Sequence, residues 1–98
     1  MGKNIEIPTI GEILSEEFMI PLNISAYKLA TDIHVPTSRI QDILHSRRRI
    51  TADTSIRLGK YFGVSDNYFL NIQNDIDVRS IKEKIKSEIE TIKTLQYA

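Results

Sequence analysis

ISAYKLATDIHVPTSRIQDILHSRRRIT, running from Ile24 to Thr51, holds two short amphipathic segments that meet at His34-Val35-Pro36 and end in three consecutive arginines. Ser25 is a good N-cap, because its side-chain oxygen can accept from an N–H left free at a helix start. Behind it Ala26, Leu29, Ala30 and Ile33 fall at i, i+3, i+4 and i+7, one apolar stripe on a polar helix. Pro36 predicts the opening of the next helix, where the first turn has no internal partner for the N–H that proline lacks. Ile40, Ile43 and Leu44 then face inward. Two helices joined by too few residues to lie antiparallel make the helix-turn-helix pattern.

Projected at about 100° per residue, the second of these helices turns Ser38, Asp42 and His45 outward, with Gln41 and Arg39 at the flanks. Short polar side chains on such a face suit a helix entering a major groove. Thr37 and Ser38 can bond base edges or phosphates, Gln41 can pair with adenine, and Asp42 can accept from the cytosine amino group. Arg47, Arg48 and Arg49 follow where the sugar-phosphate wall comes near, which predicts phosphate positioning and not base reading. With Ser25 and Lys28 from the first helix of the pair, these residues form the candidate DNA-binding set. Each has a plainer role open to it, since a lone carboxylate or an arginine run in a loop is most often simply solvated. Their coincidence at the right places of one motif carries the reading.

Outward from the motif the pattern stays helical. A first helix is predicted over Thr9 to Met19, with Ile10, Ile13, Leu14 and Phe18 at core spacing and Pro21 as its stop. Thr51 can cap a fourth helix that carries Leu58 and Phe62 inward and ends at Gly63. Ser65 can cap a fifth, where Tyr68, Phe69 and Ile72 supply bulk. Beyond Asp77 lysines and glutamates alternate around Val78, Ile81, Ile85, Ile89, Ile92 and Leu95, a single seam that predicts a long helix in need of a partner surface. The expected division is a DNA-binding domain over 1–75 and a helical extension over 76–98 for dimer or toxin contact.

The 98 residues suffice for one modest core. Cysteine is absent, which excludes disulfides and thiolate metal sites and fits a reducing cytoplasm. No apolar run approaches the ~20 residues of a membrane span, and the start at Met1 lacks the apolar region of a signal peptide, so no membrane partner is expected and the mature chain should begin near Met1. The formal net charge is zero, but its distribution is uneven. Residues 26–62 carry seven Lys and Arg against three Asp, while residues 1–25 carry Lys3 against four Glu. A basic centre is the footprint of phosphate binding.

Two longer stretches carry a resemblance. Pro8 to Ser25, PTIGEILSEEFMIPLNIS, is similar to the opening of the HigA-type antitoxins, and Ile50 to Gln73, ITADTSIRLGKYFGVSDNYFLNIQ, resembles a later stretch of that family at greater length and specificity. The likeness spans about Ile7 to Gln73. It implies an all-α, five-helix phage-repressor-like (lambda repressor-like) domain, here with an extra C-terminal amphipathic helix. It also implies a homodimer that binds a palindromic operator in double-stranded DNA, represses its own operon in the cytoplasm at the nucleoid, and neutralises a cognate RelE-like, mRNA-cleaving toxin. His34, Ser46 and Arg49 stand where the family usually has glycine, and Phe69 stands where it has tryptophan. The positions of His34 and Ser46 call for left-handed geometry, in which a non-glycine residue costs on the order of 1 kcal/mol.

An enzyme is the poorer reading. His34 and His45 are the only histidines, and no nucleophile with a spaced base accompanies them. Asp75-Ile76-Asp77 lacks the glycine of a calcium loop and has Lys86 where its bidentate Glu belongs. No catalytic residue, metal or cofactor is therefore expected. An orphan repressor without a toxin, and an interaction module that uses the motif only as a scaffold, are the other readings.

Overall fold

Thr9 opens the first helix with both halves of a capping box: the Glu12 N–H donates to Thr9 Oγ1 at 3.0 Å, and the Thr9 N–H donates to Glu12 Oε1 at 2.9 Å. In this computed structural model, which describes residues 7–96, α1 (Ile10–Ile13) runs directly into a π-helical segment, Leu14–Met19. The expectation about the chain start lies outside the described residues. The Ile20 N–H donates to the Ser15 carbonyl, five residues back, at 2.8 Å. Such a ring aligns residues five apart, and Leu14 and Met19 are both buried. A plain α-helix over Thr9–Met19 would turn them to diverging faces.

The helix-turn-helix pair is α2 (Ala26–Ile33) and α3 (Thr37–Leu44). Ser25 caps α2 by accepting from the Lys28 N–H at 3.0 Å, and Leu29, Ala30, Ile33, Ile40 and Ile43 are buried. Pro36 sits one place earlier than the sequence predicts. Its backbone is extended (ψ 144°), so it is the N-cap of α3, where a missing N–H again breaks no helical bond. Thr51 caps α4 (Ala52–Phe62) by accepting from the Thr54 N–H, and Gly63 ends it at φ +76°.

The N-cap of α5 (Tyr68–Lys84) is Asn67 and not Ser65. The Ser65 carbonyl takes the Tyr68 N–H at 3.1 Å, and the Asp66 carbonyl takes the Ser55 hydroxyl at 2.6 Å, so residues 65–67 form a turn fastened to α4. The helix then passes the change of composition near residue 75 without a break. The backbone leaves helical geometry at Ile85, resumes as α6 (Lys86–Thr91), and is not helical over 92–96. The expected helix to Leu95 therefore ends early, because a short exposed helix lacks the packing that supports most helices in proteins. Five helices and one C-terminal extra helix match the all-α, phage-repressor-like expectation, and no strand occurs among the described residues.

Phe69, fully buried, anchors the core, with the Phe18 ring centred 5.0 Å from it and 5.0 Å from Phe62. α1 crosses the end of α3 at Gly11. A Cβ there would lie 2.5 Å from the Ile43 carbonyl oxygen and 2.8 Å from that of Leu44, so only glycine allows this approach.

Gly11→Ala should accordingly lower stability by roughly 1–3 kcal/mol or more through overpacking against backbone. Ser46→Gly, at a residue with φ 61°, should raise it by about 1 kcal/mol. Thermal unfolding followed by circular dichroism separates the two, since about 1 kcal/mol moves Tm by roughly 4–8 °C in a domain of this size. An unchanged Tm for Gly11→Ala would contradict the close crossing.

Candidate nucleic-acid interface

α3 is held at both ends. At its start His34 is left-handed (φ 63°, ψ 47°), and Arg57 reaches over from α4 to donate through Nη1 to the Ile33 carbonyl at 2.9 Å and the His34 carbonyl at 3.4 Å. Arg57 Nε meanwhile donates to Asp53 Oδ1 at 2.7 Å. Past its end Ser46 is left-handed, and the loop returns to the core at Ile50. There the Gln73 carboxamide makes two buried bonds of 2.8 Å, accepting from the Ile50 N–H and donating to the Ile50 carbonyl.

Of the residues projected outward on α3, Ser38 and His45 are exposed and Asp42 is half-buried; Ser38 and the flanking, exposed Gln41 have no side-chain hydrogen bond among the described residues. Thr37 is half-buried. Arg39 turns back to α4, where Nη1 meets Asp53 at 3.3 Å and the buried Nε has no partner among the described residues. Asp42 is half-buried and accepts from Arg47 Nε at 3.1 Å, while its backbone carbonyl takes the Arg47 and Arg48 N–H groups.

The three arginines do not act as one cluster. Arg47 pairs with Asp42, and Arg49 pairs with Asp77 of α5 at 2.6 Å. Arg48 makes no ion pair among the described residues. A groove of about 350 Å³ lies between Pro8-Thr9, this loop and the Gln73–Ser80 face of α5. On α2 the Ser25 hydroxyl is engaged as a cap, and Lys28 pairs with Asp32 at 3.0 Å.

Two carboxylates brace the pair from behind. The Tyr61 hydroxyl, at 2.6 Å, and then the Lys28 ammonium hold Asp32 below the usual carboxylate range. Arg57 does the same for Asp53. In return the hydrogen bond to Asp32 raises both Lys28 and Tyr61. Arg57, Asp53 and Tyr61 were not singled out as site residues from the sequence. The Asp53–Arg57 spacing of i, i+4 is a local signal for that pair, whereas Tyr61 meets Asp32 across 29 residues and has none.

The helix-turn-helix family model HTH_3 matches residues 16–69, the span from the π-helical segment into the start of α5. An addiction module antidote protein of a HigA family from Coxiella burnetii has 37% identical residues and a TM-score of 0.83, covering 94% of this chain and 100% of that one. The chain belongs to the HigA-type branch of this helix-turn-helix family. The Pseudomonas aeruginosa antitoxin HigA, solved with the higBA promoter, superposes with a TM-score of 0.83 at 32% identity, covering 93% of this chain and 100% of that one. Virulence-associated protein I of Dichelobacter nodosus is 45% identical over 88 residues, 88% of this chain and 81% of that protein. Within this HigA-type chain the family model covers all of α2, α3 and α4, and it stops short of the apolar seam. No helix among the described residues is long and apolar enough to cross a membrane.

The depressed Asp32 and Asp53 set the sign of an acid response. Their contribution is fully present above the ordinary carboxylate value of about 3.9 and is lost as pH falls through their lowered folded values. The double variant Asp32→Asn, Asp53→Asn should therefore show a shallower fall of the urea midpoint below about pH 4 than the parent. Equal slopes would mean that these pairs contribute nothing to the acid limb.

Proposed function

We propose that this chain is a sequence-specific DNA-binding antitoxin that represses its own operon and neutralises an mRNA-cleaving toxin of RelE-like fold. The observation that carries the DNA-binding half is the outer face of α3. Ser38 and Gln41 stand exposed and uncommitted there, on a helix locked by Arg57 at one end and by Gln73 beyond the other. A rigid element with unpaired polar side chains is what base reading requires. The likeness to an antitoxin solved with its promoter supports the same reading.

In this reading Ser38 and Gln41 contact base edges, with Asp42 beside them, and Thr37 and Arg48 contact phosphate. Arg47, Arg49 and Lys28 reach phosphate only by leaving Asp42, Asp77 and Asp32. Arg39 and Ser25 position α3 and α2 from behind. Residues 1–75 serve as the DNA-binding domain and residues 76–98 as a protein-contact extension. The extension is supported by Val78, Ile81, Ile85, Ile89, Ile92 and Leu95, which are 38–72% exposed in the isolated chain although the helix breaks at Ile85 and ends before Ile92. A single recognition helix reads few bases, so the operator is an inverted repeat with half-sites about 34 Å apart, bound by a homodimer. The chain acts in the cytoplasm at the nucleoid and performs no catalysis.

Affinities for operator and scrambled duplex at several salt concentrations test the residue roles. Arg48→Ala should weaken both duplexes alike and reduce the salt slope by about 0.9. Ser38→Ala and Gln41→Ala should relax discrimination at particular base pairs by about 1–3 kcal/mol with little change in slope. Asp42→Ala frees Arg47 and removes a carboxylate, so scrambled DNA should bind more tightly while operator selectivity falls. The opposite pattern reverses the roles, and no effect from either set leaves the motif a scaffold.

A truncation after Asp77 tests the extension. Dimerisation by light scattering, or copurification with the product of an adjacent RelE-like reading frame, should be lost. Retention of both would show that the seam is not an interface, and absence of such a frame would favour an orphan repressor.

A further inference from the structure

Asp77 lies on α5 one helical turn beyond Gln73, and the two side chains grip neighbouring residues of the loop that follows α3. Gln73 holds the backbone at Ile50 through two buried bonds, and Asp77 holds the side chain of Arg49 at 2.6 Å. The backbone from which Arg49 springs is thus anchored, while its side chain is 64% exposed. Arg48 beside it carries the same charge with no ion pair among the described residues.

We propose that Asp77 is a restraint on Arg49, and that binding a nucleic-acid duplex exchanges the Asp77 carboxylate for a backbone phosphate. The proposal rests on the DNA-binding reading of this loop. A planar guanidinium donates in the same forked geometry to a carboxylate and to a phosphate, so the exchange needs a turn of the side chain and no change of fold. The Asp77 side chain left behind is 41% exposed, so its carboxylate can be rehydrated. An exposed ion pair is weak, so the restraint tunes affinity without abolishing it. It carries no sequence information and acts on all duplexes alike. Asp77 also borders the groove lined by Val78, Ile81, Lys82 and Ile85, which places the restraint where the apolar seam begins.

Asp77→Asn keeps the shape and removes the charge. Asp75→Asn is the matched control: it removes the same charge from the same helix, at a residue paired with Arg79 at 2.9 Å. The full-length chain with Asp77→Asn should bind operator and scrambled duplex more tightly than the Asp75→Asn chain, by roughly twofold to fivefold. In an Arg49→Ala background the two asparagine variants should bind alike. Equal gains in the native background, or an Asp77→Asn advantage that survives Arg49→Ala, would overturn the restraint. A parent chain that binds neither duplex at low salt would instead overturn the DNA-binding reading, and this inference with it.

Discussion

Four helix ends in this chain are built on one backbone device. Asn23, His34, Ser46 and Gly63 are the residues with positive φ among those described. Each is followed by an N–H that reaches five residues back: Ile24 to Met19 at 2.9 Å, Val35 to Ala30 at 3.0 Å, Arg47 to Asp42 at 2.7 Å and Val64 to Gly59 at 2.9 Å. The closing bond satisfies a carbonyl that the helix end leaves free, and the left-handed residue reverses the chain at once. Short reversals let helices of 8 to 11 residues pack around one core. Three of the four reversals use a residue other than glycine, which strains the backbone by roughly 1–2 kcal/mol at each. Such strain persists only where the surroundings over-determine the conformation.

At two of those turns the surroundings are polar side chains from later helices. Arg57 of α4 holds the carbonyls on either side of the His34 turn, and Gln73 of α5 receives the chain at Ile50 after the Ser46 turn. Both backbone groups of Ile50 are buried, and leaving either unpaired costs about 1–3 kcal/mol. The pose of α3 is thereby set by residues 23 or 24 positions away in sequence from the backbone groups they hold. The exposed face of α3 is free to differ without disturbing these supports, because Ser38 and Gln41 contribute nothing to them.

Charge follows the same division. Asp53 joins Arg57 and Arg39 behind the motif, and Asp32 joins Lys28 and Tyr61 across α2 and α4. These pairs brace helices against each other. In the loop after α3, by contrast, each of Asp42 and Asp77 holds an arginine whose side chain remains at least 60% exposed. A net charge of zero therefore coexists with an arginine-rich loop whose ion pairs are exposed and individually weak.

Local chemistry alone made much of this legible. The apolar stripes of α2 and α3, the caps at Ser25 and Thr51 and the stop at Gly63 depend on residues within about one helical turn, and all appear in the structure; the left-handed geometry at His34 and Ser46, which also appears, followed from the family resemblance. The family followed from two long, specific stretches. What the sequence could not specify is whatever depends on contacts between distant segments. Packing of Leu14 and Met19 on the same core turned half of the first helix into a π-helix, and the Ser55–Asp66 bond moved the N-cap of α5 from Ser65 to Asn67. Arg39, Arg47 and Arg49 look equivalent as cations in the sequence, yet only the fold brings Asp53, Asp42 and Asp77 to them. Pairing in space is fixed by how helices cross, and the order of charges along the chain does not contain that crossing.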